Sequence, residues 1–208
     1  MKKPLLSIVF FALGLMVSAQ TQLPENQSQE VMALLTDAAA SMHTMQCRFV
    51  QEKTTSMLAE PSVSEGVMCF VAPDKMRWEY IKPYAFALIV NGERIVKVTG
   101  GKSEVLEGNS SRIYQGIVNI IMGSATGKKL FDASVFDVVL YDEEAFWKAE
   151  MTPKRRDMKR MFSQLVFRFG KATNVISRVG LIGSNGDVTE IRFEEMRLNE
   201  AIPKEMFQ

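Results

Sequence analysis

The sequence predicts a mainly β fold, with about ten or eleven antiparallel strands and a few helices that cover them. From Met45 onward, apolar and polar residues alternate with a period of two, which is typical of strands with one buried face. Turn signals separate these segments, and Asn91-Gly92 is the strongest of them. The chain has 208 residues, 47% of them hydrophobic and 24% charged, which is enough for one domain with a sizeable core.

Residues 1–19 have the three parts of an export signal. Lys2 and Lys3 precede an apolar run from Leu5 to Val17, and small residues end the segment at Ala19. The run is short for a membrane span, although a retained N-terminal anchor is the alternative. We expect cleavage after Ala19 to leave a soluble, exported domain of residues 20–208, without a lipid anchor because no cysteine stands at the cleavage point.

Two helices are expected, one before the strands and one in their middle. Ser28 can cap the first, roughly residues 29–44, whose apolar positions recur at three- and four-residue steps. The second begins at Ser110-Ser111 and ends at Gly123. The segment Lys154–Arg160 is expected to be a basic loop. The expected strands are Cys47–Lys53, Val63–Val71, Met76–Tyr80, Phe86–Val90, Arg94–Thr99, Lys102–Glu107, Phe136–Tyr141, Phe146–Met151, Phe162–Phe169, Val175–Ile182 and Val188–Leu198.

Charge and composition exclude several classes of protein. Without residues 1–19 the chain holds 23 basic and 24 acidic side chains, so no overall field attracts nucleic-acid phosphates. The chain has a single histidine, His43, and two cysteines, which leaves little material for a zinc site or a catalytic triad. No nucleophile motif such as G-x-S-x-G is present. We therefore expect no enzyme, no cofactor and no metal site.

A sheet of this size needs cover for its apolar face. About ten twisted strands usually curl or close, and two short helices can cover only part of a concave surface. The sheet therefore either closes into a packed barrel or leaves a hydrophobic hollow that something else fills. The 14 Met and 13 Phe favour the hollow, since such adaptable side chains suit variable ligands, but ordinary core packing explains them equally well.

An ordered series of short motifs supports the hollow. It consists of Phe49-Val50-Gln51, the strand Val71–Tyr80 with Pro73 and Trp78, Pro83 followed by Asn91-Gly92, Met151-Thr152-Pro153-Lys154, and Gly186–Phe193. In order and spacing this series resembles the periplasmic outer-membrane lipoprotein carriers of the LolA family. That family has an F-x-Q strand, an R-P-x-x-F-R/N-W strand, P-(x)8-G, T-P-K and a final D-G-x-x-T-x-I-x-F type hairpin. The resemblance runs from about Ser28 to Phe207.

The resemblance implies a fold and a function. The fold is a half-open antiparallel β-barrel of about ten or eleven strands, covered by two or three helices. Such carriers accept acylated lipoproteins from an inner-membrane ABC transporter complex and bring them across the periplasm to the outer membrane. The sequence does not identify the outer-membrane acceptor, and we expect the protein to act as a monomer without nucleic acid.

The expected lipid-binding residues follow from the motifs and from strand parity. Met76 stands where the family usually has Phe, and Trp78 matches the family's tryptophan. Because side chains alternate between the two faces of a strand, Tyr80 on the same predicted strand and Phe86, Leu88 and Val90 on the next are expected on the face of Trp78. The second predicted helix supplies an apolar stripe. The full set is Met76, Trp78, Tyr80, Phe86, Leu88, Val90, Ile117, Ile120 and Ile121. For each of them, plain core packing is the alternative.

The sequence departs from the family at two places. The family commonly has an arginine before the proline, where it helps to hold the helical lid closed, and here that position is Ala72. We therefore expect a lid that opens more readily or is held by another residue. The family's tail has no counterpart after Phe207-Gln208, so we do not expect behaviour that depends on it, and the donor complex can differ.

Cys47 and Cys69 lie on neighbouring predicted strands and are equidistant from residue 58, the centre of the connecting loop. They are therefore candidate partners for a cross-strand disulfide in an oxidising compartment, worth roughly 3 kcal/mol of stability. Two buried free thiols are an equally good interpretation.

Two other functions fit the same pattern. One is a shuttle for a different lipid, such as a glycolipid or a pigment ester. The other is a periplasmic module that binds a lipid and signals through a protein partner.

Overall fold

A computed structural model describes residues 20–107 and 131–208. Within these ranges the chain forms one twelve-stranded sheet in which all neighbouring strands are antiparallel. The strands are β1 (Thr21–Gln22), β2 (Thr44–Thr54), β3 (Ser62–Val71), β4 (Lys75–Lys82), β5 (Phe86–Asn91), β6 (Arg94–Thr99), β7 (Lys102–Val105), β8 (Phe136–Glu143), β9 (Phe146–Pro153), β10 (Phe162–Gly170), β11 (Ile176–Gly183) and β12 (Val188–Leu198).

The strand order is β1-β8-β9-β10-β11-β12-β2-β3-β4-β5-β6-β7. In the described ranges the edge strands β1 and β7 do not pair with each other, so the sheet stays open. This confirms the predicted class of a half-open antiparallel β structure. All the predicted strands are present, and the described ranges add β1 to them.

Helix α1 (Glu25–Ala40) begins earlier than expected and also ends earlier. Pro24 precedes its first residue, where the fixed φ of proline suits a helix start, and Ser28 is not the cap. Instead, the Ser28 hydroxyl donates a hydrogen bond to the Leu23 carbonyl over 3.3 Å. The expected end near residue 44 is wrong because Met45, whose spacing continues the helical pattern, lies in β2.

The segment expected to be a basic loop is largely helical. Helix α2 spans Arg156–Met161, and a short 3₁₀ helix spans Lys204–Phe207 near the C-terminus. Asp157 in the first turn of α2 pairs with Arg155 over 2.8 Å, and Lys154 pairs with Asp137 over 2.8 Å. These two ion pairs offset part of the positive charge of the segment.

The export signal at residues 1–19 and the second helix, with Ile117, Ile120 and Ile121, lie outside the described residues.

The two faces of the sheet carry separate apolar clusters. We call the face that bears Phe49, Trp78 and Phe167 the inner face, and its side chains form the larger cluster together with residues of α1. The opposite face, the outer face, carries a smaller cluster. That cluster consists of Cys69, Ile89, Val96 and Phe207, with Val71, Val98, Ile202 and Met206 packed against it.

The disulfide between Cys47 and Cys69 is not formed, and both thiols are free and buried. In the register of β2 and β3, Cys47 lies opposite Met68 and Cys69 lies opposite Gln46. The register is one residue away from the one that symmetry about residue 58 predicts. Since successive side chains of a strand point to opposite faces, this shift places Cys47 on the inner face and Cys69 on the outer face.

Candidate functional site

The six predicted lipid-binding residues of β4 and β5 lie together on the inner face. They form three cross-strand pairs, Met76 with Val90, Trp78 with Leu88, and Tyr80 with Phe86. The first two pairs are buried, and Tyr80 and Phe86 are half-buried against the same cluster. Strand parity therefore predicted their common face, and their contact with lipid stays a prediction.

Five aromatic rings from four strands form a continuous patch, which we call the aromatic wall. It consists of Phe49, Trp78, Tyr80, Phe86 and Phe193. The centroid of the Phe49 ring lies 4.2 Å from that of Trp78 and 5.2 Å from that of Tyr80. Tyr80 stacks on Phe86 at 4.6 Å, and Phe193 meets Trp78 edge-on at 6.1 Å. Such pairs add directional stabilisation to the burial of apolar area.

Gly66 makes room for the aromatic wall. It lies opposite Phe49 on β2 and opposite Tyr80 on β4. A methyl group at this position would overlap the Phe49 ring and the Glu79 carbonyl oxygen. The absence of a side chain at Gly66 therefore lets the Phe49 ring lie against the backbone of β3.

Few polar atoms lie within the wall. The Tyr80 hydroxyl donates a hydrogen bond to Oε1 of Gln51 over 3.0 Å. The Trp78 Nε1 atom is buried and has no hydrogen-bond partner in the described part of the chain. Cys47 borders the wall, and burial, with a smaller contribution from Cys69, raises the pKa of its thiol to about 12. Cys47 is thus a protonated apolar side chain at neutral pH, not a nucleophile.

The apolar inner face continues well beyond the wall. Helix α1 adds Val31 and Leu35 to it. The strands add further buried Met, Phe and Leu side chains, namely Met45, Met68, Phe70, Met151, Leu165, Phe167 and Phe169. These residues were not among the predicted site residues. The one on the strand of Phe49, Met45, could have been predicted, because it stands an even number of positions from that ring and therefore shares its face.

The outer face carries several ion pairs, whereas on the inner face Lys97 Nζ lies 5.9 Å from the centre of the Phe86 ring. Lys148 on β9 is buried, and its Nζ lies 2.7 Å from Glu150, 3.7 Å from Glu143 and 2.7 Å from Oε1 of Gln20. Arg168 on β10 also pairs with Glu143, over 2.8 Å. The two faces of the same strands thus differ sharply in polarity.

The described ranges hold no group of three or more His, Cys, Asp or Glu side chains that could bind a metal. Across the same ranges, no helix combines the length and apolarity needed to cross a bilayer. Ala72, the expected site of a changed lid contact, donates its backbone N–H to the His43 carbonyl over 2.8 Å. How a lid is held stays a prediction, because the residues predicted to form it lie outside the described ranges.

Outer-membrane lipoprotein carrier proteins of several bacteria are similar in sequence. The protein from Chromobacterium violaceum is 26% identical over 209 residues, 98% of this chain and 91% of the relative. That from Dechloromonas aromatica is 26% identical over 84% of this chain and 80% of the relative. That from Methylobacillus flagellatus is 25% identical over 81% of this chain and 78% of the relative.

Solved structures share the fold at low sequence identity. MucB of Pseudomonas aeruginosa, in its complex with MucA, aligns over 88% of this chain with a TM-score of 0.53 and 14% identity, and this chain spans 60% of MucB. An uncharacterized conserved protein of Thermus thermophilus aligns over 88% of this chain and 93% of its own length, with a TM-score of 0.52 and 11% identity.

The sequence profile of the family described as outer membrane lipoprotein carrier protein LolA matches residues 40–208, most of the chain. This match covers strands β2 to β12, the aromatic wall and the C-terminal 3₁₀ helix. The chain therefore belongs to the LolA family.

Proposed function

We propose that this protein is a periplasmic carrier of lipoproteins. It receives an acylated lipoprotein from an inner-membrane ABC transporter complex, holds the acyl chains against the inner face, and delivers them to the outer membrane. The observation that carries the proposal is the continuous apolar inner face of an open sheet, in a chain of the LolA family.

The physical need for such a carrier is large. Each CH₂ group of an acyl chain that stays in water costs about 0.8 kcal/mol, so a lipoprotein with three chains cannot cross an aqueous gap unshielded. The inner face offers Phe, Met, Leu and Val side chains for this purpose. Contacts of this kind are non-directional, so one surface can accept chains of different length.

Release is as necessary as binding, and the open sheet supports it. The edge strands are unpaired with each other in the described part, so the inner face is not sealed by a closed ring of strands. The proposed role needs no bond to be made or broken, and we propose neither a catalytic residue nor a cofactor.

A release assay tests the proposal. Inner-membrane vesicles that contain the transporter and a radiolabelled acylated lipoprotein are incubated with ATP and the purified protein, and the soluble fraction is counted. We expect release with the wild-type protein and little release with Trp78→Glu, because the substitution places a charge in the aromatic wall. Val188→Glu is the matched control, since Val188 is exposed on the outer face and the added charge is the same.

Failure of the wild-type protein to release lipoprotein would contradict the assignment. Native mass spectrometry of protein isolated from its own periplasm then identifies what it carries. A glycolipid or pigment ester would indicate the alternative shuttle function.

A further inference from the structure

We infer that the indole N–H of Trp78 donates a hydrogen bond to the carbonyl oxygen of a bound acyl group. The aromatic wall is then a site for acyl chains joined through an ester or amide carbonyl, and not for hydrocarbon alone. This inference rests on the proposed carrier function and adds a point of recognition to it.

The starting observation is a buried donor without an acceptor. The Trp78 side chain is buried on the inner face, with 4% of the residue exposed. Its Nε1 has no hydrogen-bond partner in the ranges that the structure describes. An indole nitrogen can only donate, and a buried donor that loses its water partners without replacing them destabilises the fold. Groups of this kind call for an explanation, and a ligand is one.

The Trp78 ring is held so that this donor cannot turn freely to water. The Phe49 ring lies at 4.2 Å with an interplanar angle of 31°, and the Phe193 ring meets it edge-on at 6.1 Å. A phenylalanine could make comparable apolar contacts without burying a donor. The indole therefore carries a polar cost that packing alone does not require.

The wall itself does not supply the acceptor. The Oε1 atom of Gln51 accepts from the Tyr80 hydroxyl over 3.0 Å and not from Trp78 Nε1. The neighbours of Trp78 across the strands are the apolar side chains Leu88 and Met68. An acyl chain that lies against these side chains brings one carbonyl oxygen at its head, which matches one unpaired donor in an otherwise apolar surface.

Two lysolipids that differ in one carbonyl group test the inference. Palmitoyl lysophosphatidylcholine has an ester carbonyl, and hexadecyl lysophosphatidylcholine has an ether in its place. Binding of each is measured by native mass spectrometry below the micelle concentration. We expect the wild-type protein to bind the ester about three- to tenfold more tightly, the factor expected for one neutral hydrogen bond. A third ligand with the same chain in an amide identifies whether ester, amide or both supply the carbonyl.

Matched variants locate the donor. Trp78→Phe should bind ester and ether equally, at about the affinity of the wild-type protein for the ether. Trp147→Phe is the control. The Nε1 atom of Trp147 is also buried without a partner in the described part of the chain, but Trp147 lies on β9 and is not part of the aromatic wall. Its ring instead faces a cation, with Lys171 Nζ 4.4 Å from the ring centre. This control should keep the preference for the ester.

The outcomes separate the inference from the function on which it rests. Equal binding of ester and ether by the wild-type protein, or a preference that survives in Trp78→Phe, overturns the inference and leaves the carrier function intact. Binding of neither lysolipid by the wild-type protein contradicts both. If Trp78→Phe does not fold, the ¹H–¹⁵N resonance of the wild-type indole decides. It should shift downfield with the ester and not with the ether, and equal shifts overturn the inference.

Discussion

The inner and outer faces of the sheet are built from the same strands, yet they differ in almost every physical property. On β9, Ala149 and Met151 are buried on the inner face, while Lys148 and Glu150 form an ion pair on the outer face. The near-neutral composition of the chain is therefore an average over two unlike surfaces. A search for net charge or overall hydropathy does not detect this, whereas the alternation along each strand does.

The largest expected effect comes from removing a ring of the inner face. Phe49→Ala deletes a side chain that is 1% exposed and contacts both Trp78 and Tyr80. We expect the free energy of unfolding, measured with urea, to fall by about 3–5 kcal/mol. Val50→Ala is the control on the outer face of the same strand, and its half-buried side chain should cost about 1 kcal/mol or less. Equal losses would contradict the contrast between the faces.

The next largest loss of stability is expected at Gly66, whose backbone lies close to the Phe49 ring. Gly66→Ala places a methyl group against the Phe49 ring and the Glu79 carbonyl, so we expect a loss of about 2–3 kcal/mol in the same measurement. Gly180→Ala is matched to it, because a methyl group there would lie at an ordinary 3.4 Å from the Val166 Cβ. A neutral result at Gly66 would show that the wall can move aside.

The ion pairs of the outer face should contribute less than the aromatic wall. Lys148→Ala removes the cation next to Glu150 in a mostly buried setting, while Glu143 keeps its pair with Arg168, so we expect a loss of about 2 kcal/mol, below that for a fully uncompensated buried charge. Lys171→Ala removes a more exposed pair with Asp142 and should cost about 0.5 kcal/mol, since solvent screens that pair. If the two losses are the same, burial of Lys148 has no energetic role.

At neutral pH the smallest effect concerns Cys47, and this effect grows in alkaline solution. Because burial raises the pKa of its thiol from 9.0 to about 12, the unfolded chain loses this proton first as the pH rises. Stability therefore falls between about pH 9 and pH 12, by about 1 kcal/mol from pH 9 to pH 10 for this group. The slope of the unfolding free energy against pH should be shallower in Cys47→Ala than in the wild-type protein.

The same cysteines give a simple chemical check of the corrected register. Thiol titration of the unfolded, unreduced protein should detect two free thiols, because Cys47 and Cys69 point to opposite faces. Detection of none would restore the cross-strand disulfide and contradict the register of β2 and β3.

Strand positions and the shared face of Met76, Trp78 and Tyr80 could be predicted because both follow from a period of two. Register could not. It depends on the geometry of the loop between β2 and β3, and an error of one residue moves Cys69 to the other face. The two-residue strand β1 is too short to show any period.

The ends of helix α1 and the contacts between residues far apart in the chain also could not be predicted from the sequence pattern. The apolar spacing of α1 continues through Met42 and Met45 after the helix has ended, so periodicity alone extends it too far. Phe207 is a single apolar residue near the C-terminus, and nothing local indicates that it packs on Ile89 and Val96 of the outer face. Only the folded chain brings those residues together.

The lengths of the two edge strands affect whether copies of the protein can aggregate through the edges of their sheets. An open sheet exposes unpaired backbone amides and carbonyls at both margins, and such margins invite strand addition and fibre growth. Here the margins are β1, with two residues, and β7, with four, the shortest strands in the described ranges. Lys102 and Glu104 place opposite charges on β7. Edge strands this short give an incoming strand few hydrogen bonds of their own, which disfavours polymerisation of the open sheet.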